Sequence, residues 1–254
     1  MACLGYEEMT TAEVVGSIAD AGFDSVEWTM AHVDSLALPA SALACQQDLV
    51  SGGEQAVATT IRAIDAAAEA DIGLVNVLTG PNLWEEGARP AEGAEEAWGV
   101  ALSALERIVD HAEEKAVMVG FEPCWGTLAH DAETAQRVLD AVAVQITFDP
   151  SHFVMTGDPI PELIATWGDR IVHFHLKDAF GRPGIEGEDF IFCLLGEGDV
   201  PWPETFRALE AIGYEGALSV EFEAYRYYEQ VLGGNPTAAA KLSREQVGAL
   251  MGQG

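Results

Sequence analysis

Apolar and polar positions along this chain repeat with two periods. Short runs with period two, such as QITF at 145–148 and IVHFHL at 171–176, read as β-strands. Longer stretches with apolar residues three and four apart, such as 54–70 and about 94–115, read as amphipathic helices. The two kinds alternate. Strand-like runs fall at 2–6, 23–29, 42–45, 72–80, 117–123, 145–150, 171–178 and 217–223. Between them, Thr10 or Thr11 caps a helix that stops at Gly22, and Asp131 caps another over 130–142. Further helices are expected at 160–168 and at 201–213, where Pro203 sits near the start. One closing helix and tail are expected over about 225–250. Residues 81–93 and the glycine-rich 179–200 read as loops. About eight alternations predict an α/β fold, a single (β/α)8 TIM barrel over residues 1–254.

The ends of the later strands carry chemistry. Glu122, Asp149, His175 and Glu221 each close one apolar run. The intervals from Glu122 to Asp149 and from Asp149 to His175 suit one strand-plus-helix unit each, and the last interval adds a long loop. A parallel barrel presents a metal site in this way, at the carboxyl ends of its strands. His173 and His175 are two apart and share one strand face, opposite Val172, Phe174 and Leu176.

Composition narrows the partners. Hydrophobic residues make up 49%, enough for a large core, and no apolar run approaches a membrane span. The 42 acidic residues against 12 basic ones give a net charge of −30, which repels nucleic acid and anionic lipid. It also disfavours phosphorylated substrates unless Lys177 or Arg182 makes a local cationic pocket. Cys3, Cys45, Cys124 and Cys193 form no CxxC pair, and no signal-peptide pattern opens the chain, so a cytoplasmic location is expected.

GFDSVEW at 22–28, FEP at 121–123, FDPSHF at 148–153, HFHLKD at 173–178, LGEGDVPW at 195–202 and GYEGALSVEFE at 213–223 resemble the sugar phosphate isomerase/epimerase family, the xylose-isomerase-like TIM barrels. The resemblance covers nearly the whole chain and implies one divalent ion held by Glu122, Asp149, His175 and Glu221. It implies an isomerase or epimerase of carbohydrate metabolism, acting on a keto-sugar or polyol-derived ketone, with a dehydratase or lyase as the alternative. A non-catalytic sugar-binding barrel is a third class, which a spoiled ligand set would favour. Free-ketose 3-epimerases of this family carry a further Glu where this chain has Leu128, and an Arg where it has Gly181, beside Arg182. Those departures weigh against that activity. The related apurinic endonucleases need more histidine ligands than six histidines readily supply.

Three oxygen donors and one imidazole suit Mn²⁺, Mg²⁺ or Co²⁺, with Zn²⁺ a further candidate. Such an ion acidifies the C–H beside a bound carbonyl, and Glu122 and Glu221 are the candidate acid/base pair through an enediolate. His152, one helical turn past Asp149, reads as a substrate hydrogen-bond donor or proton shuttle, or as a structural loop histidine. Glu27 reads as a ligand of sugar hydroxyls or as a loop cap. His173 fits a pocket wall or a satisfied interior histidine. Lys177 fits substrate contact or a salt bridge to Asp178, and Arg182 substrate contact. Trp28, Trp84 and Trp125 are candidate apolar walls, and Glu223 is the alternative ligand if the register is displaced by two. Tyr225, Tyr227 and Tyr228 read as core of the closing helix, whose length is compatible with a homo-oligomer.

Overall fold

The computed structural model describes residues 5–81 and 95–252. In chain order its strands are β1 (Val26–Thr29), β2 (Ala40–Cys45), β3 (Leu74–Val77), β4 (Met118–Phe121), β5 (Gln145–Phe148), β6 (Ile171–Leu176), β7 (Asp178–Gly181), β8 (Phe190–Cys193) and β9 (Leu218–Val220). All but β7 and β8 join one sheet, in the order β1-β2-β3-β4-β5-β6-β9, and every pairing in it is parallel. Helices fill the intervals: α1 (Thr11–Asp20), α2 (Gly53–Glu69), α3 (Glu95–Glu114), α4 (Ala132–Ala141), α5 (Pro150–Thr156), α6 (Ile160–Trp167), α7 (Trp202–Ala211), α8 (Tyr225–Gln230) and α9 (Pro236–Met251). Sequence-adjacent parallel strands with helices between them form an α/β barrel.

The two ends of the wall meet through α1 and α9. Ser17 Oγ and Thr237 Oγ1 lie 2.6 Å apart, and Arg244 Nε donates to the Gly22 carbonyl at 3.0 Å. The expected first strand at 2–6 lies largely outside the described residues, and Tyr6 is a buried core residue whose hydroxyl meets Ser17 Oγ at 2.7 Å. The loop at 81–93, with Trp84, also lies outside them apart from Pro81.

Local chemistry accounts for the element boundaries. Thr10 caps α1 through a capping box with Glu13, and Asp131 caps α4 through one with Thr134. Outward-facing strand residues pack under the helices. Phe148 of β5 stacks on Phe174 of β6 at 5.3 Å between ring centres, and Phe153 and Trp167 close over Phe148. The interval after β5 is two helices, α5 and α6, hinged at Gly157, whose φ of 79° is left-handed.

Two expectations are corrected. The glycine-rich 179–200 is not a plain loop: β7 and β8 pair there as an antiparallel hairpin, Asp178 opposite Cys193 and Gly181 opposite Phe190. The closing region is two helices, because Gly233 and Gly234 break it and Asn235 caps α9 ahead of Pro236. Asp178 anchors the return from the hairpin. Its buried carboxylate accepts from the backbone N–H groups of Ala179, Gly196, Gly198 and Val200, and from Trp202 Nε1. A Cβ at Gly198 would overlap that carboxylate.

Asp178→Ala strips five donors of their shared acceptor and is expected to destabilise the protein by about 3 kcal/mol in urea unfolding. Gly198→Ala should act in the same direction by about 1–3 kcal/mol through overpacking. An unchanged urea midpoint for Asp178→Ala would show that the hairpin is anchored elsewhere.

Candidate metal centre and pocket

The carboxyl ends of the parallel strands face one way, so residues just past them converge. Glu122 follows β4, Asp149 follows β5, Lys177 follows β6, and Glu221 and Glu223 follow β9. His173 and His175 project into the barrel from β6, and Glu27 and Asn76 lie buried on β1 and β3. One ligand atom from each of Glu122, Asp149, His175 and Glu221 lies within 4.8 Å of all the others.

His175 sets the orientation of the group. Its Nδ1 is 3.1 Å from Glu122 Oε1, 3.4 Å from Glu221 Oε2 and 3.8 Å from Asp149 Oδ2. Its Nε2 is 3.2 Å from Glu27 Oε1, while Glu27 Oε2 is 2.9 Å from His173 Nε2. Glu27 is thus a carboxylate behind the imidazole, and it holds the Nε2 proton so that Nδ1 is the nitrogen offered to an ion. Carboxylate–histidine pairs of this kind fix tautomer and ring orientation at metal sites. Asn76 Nδ2 donates to Glu122 Oε2 at 3.1 Å and leaves Oε1 facing the group. Asp149 is divided by its own sequence. In DPS, Asp149 is the N-cap of α5 and its Oδ1 accepts from the Ser151 N–H at 2.8 Å, so Oδ2 is left for the site.

The balance of charge fits a cation here. Four carboxylates, Glu122, Asp149, Glu221 and Glu223, surround one ammonium, that of Lys177. Lys177 Nζ is 2.6 Å from Glu221 Oε2, 2.9 Å from Asp149 Oδ2 and 3.0 Å from Glu223 Oε2. Burial opposes its charge, yet these carboxylates hold its pKa well above the usual lysine value. Burial likewise opposes ionisation of Glu221, but Lys177 and then His175 outweigh it and hold that carboxyl at about 2. Burial pushes Glu122 upward. His152 Nδ1 accepts from the Trp125 N–H at 3.4 Å, which places the ring proton on Nε2. Burial, and then the charge of Lys177, push its pKa down to about 4, so the ring is neutral.

A cavity of about 280 Å³ opens above this group. Glu122, His152, Lys177 and Glu221 line its floor, and Trp125, Phe190 and Phe192 form an aromatic wall. Trp125 and Phe190 pack at 5.0 Å between ring centres. The hairpin therefore supplies one side of the pocket. Gln46, Cys124, Glu186, Glu223 and Tyr225 complete the lining.

The expected site residues divide accordingly. Glu122, Asp149, His175 and Glu221 come together, with His152, Lys177 and Trp125 beside them. Glu27 and His173 sit beneath the group, bonded to each other, and are absent from the pocket lining. Arg182 is 81% exposed on the hairpin, 3.4 Å from Asp189, and does not line the pocket. Lys177 pairs with Asp149, Glu221 and Glu223, while Asp178 is engaged with the loop backbone and Trp202. Trp28 is a core residue that donates to the Ala37 carbonyl. Tyr225 is not simply helix core, because its hydroxyl donates to Glu223 Oε1 at 2.7 Å inside the pocket. Asn76 was detectable as the one amide side chain within the apolar strand run at 72–80.

Residues 50–247 match the family model described as Xylose isomerase-like TIM barrel. The chain belongs to this family. Among its relatives, the inosose dehydratase of Geobacillus thermodenitrificans is 29% identical over 143 residues, 51% of this chain and 48% of that protein. The match spans about half the length of the curated relatives. The IolI protein, solved with a zinc atom, superposes with a TM-score of 0.76 at 17% identity, covering 99% of this chain and 98% of that one. An L-ribulose 3-epimerase gives 0.74 at 16% identity, covering 100% of this chain and 94% of that one. At these identities the structural likeness is one of fold. Among the described residues, no helix is long and apolar enough to cross a membrane.

Glu27→Gln keeps the shape but removes the charge that bridges His173 and His175. Mn²⁺ affinity measured by calorimetry is expected to fall about 10–100-fold, with the circular dichroism spectrum retained. Wild-type affinity in this variant would show that His175 is oriented by something else.

Proposed function

We propose that the protein is a divalent-metal-dependent lyase that removes water from a neutral polyhydroxylated ketone, such as a cyclitol ketone or a keto-sugar, after abstracting the proton α to its carbonyl. The observation that carries this is the convergence of Glu122, Asp149, His175 and Glu221 on one point at the floor of a pocket that Glu122 and Glu221 also line. These four residues would hold the ion, which when bound supplies Lewis-acid polarisation of the carbonyl. The side chains supply the rest. Glu221, ionised and facing the cavity, takes the α proton. His152 offers its Nε2–H to a substrate oxygen. Trp125, Phe190 and Phe192 take the C–H face of the substrate and exclude water.

Dehydration takes precedence over epimerisation for two reasons. Curated relatives are inosose dehydratases. The positions that carry Glu and Arg in free-ketose 3-epimerases hold Leu128, buried in the core, and Gly181, with Arg182 pointing to solvent. Epimerisation is the second reading, favoured by the presence of two glutamates, Glu122 and Glu221, around one cavity. Substrate neutrality follows from charge. Lys177 is already ion-paired with three carboxylates, and Glu186 adds another to the lining.

The test is NMR in D₂O with protein reconstituted separately with Mn²⁺, Mg²⁺, Co²⁺ or Zn²⁺ and offered inosose, free ketoses, 3-keto-glycosides and phosphorylated ketoses. Loss of water from a neutral ketone is expected, with deuterium entering the α position. Conversion with neither wash-in nor a primary isotope effect on α-deuterated substrate would reject proton abstraction. A strong preference for a phosphate ester over its free counterpart would reject neutrality. His175→Ala is expected to lose bound metal and turnover together.

A further inference from the structure

The hairpin brings more than aromatic rings to the pocket. Glu186, in the turn between β7 and β8, lines the cavity together with Phe190 and Phe192. The turn is closed by its own backbone. The Gly187 N–H donates to the Phe190 carbonyl at 2.7 Å, and the Asp189 N–H to the Ile185 carbonyl at 2.8 Å. Asp189 Oδ2 in turn accepts from the Ile185 N–H at 3.0 Å. Glu186 and Phe190 form a β-bridge, so the carboxylate and the aromatic wall are held in one register. Arg226 of α8 steadies the same turn. Its Nη2 donates to the Gly187 carbonyl at 3.5 Å, and a Cβ at Gly187, whose φ is 84°, would overlap the guanidinium. Glu186 itself is exposed, which puts it at the rim of the cavity.

The other carboxylates of the lining are committed elsewhere. Glu122 and Glu221 belong to the candidate metal centre, and Glu223 accepts from the Tyr225 hydroxyl. Among the described residues no hydrogen bond or ion pair engages the Glu186 carboxylate. A carboxylate only accepts, and its two oxygens can take two neighbouring hydroxyls at once. We propose that Glu186 is a specificity-determining residue that binds a vicinal pair of hydroxyls on the part of the substrate remote from the reacting carbonyl; this rests on the function proposed above for the pocket. The carbonyl end of the substrate belongs over Glu122 and Glu221, and its C–H face along Trp125, Phe190 and Phe192. The distal hydroxyls are then left at the rim, where Glu186 stands. A phosphate or carboxylate at that end would meet a carboxylate without an ion-paired cation and would be rejected. The ligand class is therefore a neutral polyol ketone with a diol beyond the β carbon.

The experiment crosses enzyme and substrate changes. Metal-loaded wild type, Glu186→Ala and Glu186→Gln are compared on a polyol ketone that the wild type dehydrates and on analogues each lacking one hydroxyl beyond the β carbon. Glu186→Ala is expected to lower kcat/KM on the full substrate about 10–100-fold, chiefly through KM. The wild type should show a loss of the same order on at least one deoxy analogue, and that loss should vanish in Glu186→Ala, because the hydroxyl and its acceptor act as a pair. Glu186→Gln, which keeps one acceptor oxygen, should fall between the two. Deoxy penalties that are the same in wild type and Glu186→Ala would overturn the assignment, as would a fall in kcat with KM unchanged. Should Glu186→Ala fail to fold, Glu186→Gln carries the same comparison: a reduced deoxy penalty supports the assignment and an unchanged one overturns it. A wild type that epimerises polyol ketones but dehydrates none removes the lyase function alone. The comparison is then made on the epimerised substrate, where the same results decide the role of Glu186.

Discussion

Burial of like charge is the constraint on which this site depends. Glu27, Glu122, Asp149, Glu221 and Glu223 gather at one end of the barrel, where an unpaired buried carboxylate would be strongly destabilising. Each is answered by a specific partner. Glu27 faces two imidazoles, Glu122 has Asn76 and His175, Asp149 has the Ser151 N–H and Lys177, and Lys177 joins Glu221 to Glu223. One lysine and two imidazoles, those of His173 and His175, leave these five carboxylates with excess negative charge. A divalent cation is the natural complement to such a set.

The fold makes this crowding tolerable. The four candidate ligands sit at strand ends, Glu122, Asp149 and Glu221 just past them and His175 within β6, so the sheet fixes their separations. Supporting groups come from deeper in the same strands: Glu27 from β1, Asn76 from β3 and His173 from β6. The aromatic wall belongs to an added hairpin tied down by Asp178, one residue beyond Lys177. Asp178 therefore connects the hairpin to the strand that carries the ammonium, and the loop and the charged floor share one anchor.

Much of this was legible in the chain. Strand and helix periods predicted the barrel, and four apolar runs ending in Glu, Asp, His and Glu pointed to the group that converges at the carboxyl ends of its strands. What escaped has physical reasons. The four-residue strands of the hairpin are embedded among glycines and carry too little periodicity to register. Glu27 was visible as a strand residue, but its position beneath the histidines depends on where β1 and β6 face each other across the barrel. Arg182 is near His175 in sequence, but the hairpin carries it outward. Tyr225 looked like helix core because neighbouring tyrosines share its pattern, whereas its hydroxyl turns to Glu223.

The central claim is that one divalent ion binds where Glu122, Asp149, His175 and Glu221 converge, with His175 engaged through Nδ1 because Glu27 occupies Nε2. Anomalous diffraction from crystals equilibrated with Mn²⁺ tests it directly. A single peak within bonding distance of one oxygen from each carboxylate and of His175 Nδ1 is the expected result, at about 2.0–2.3 Å. A peak elsewhere, coordination through Nε2, or no peak at saturating Mn²⁺ would contradict the account.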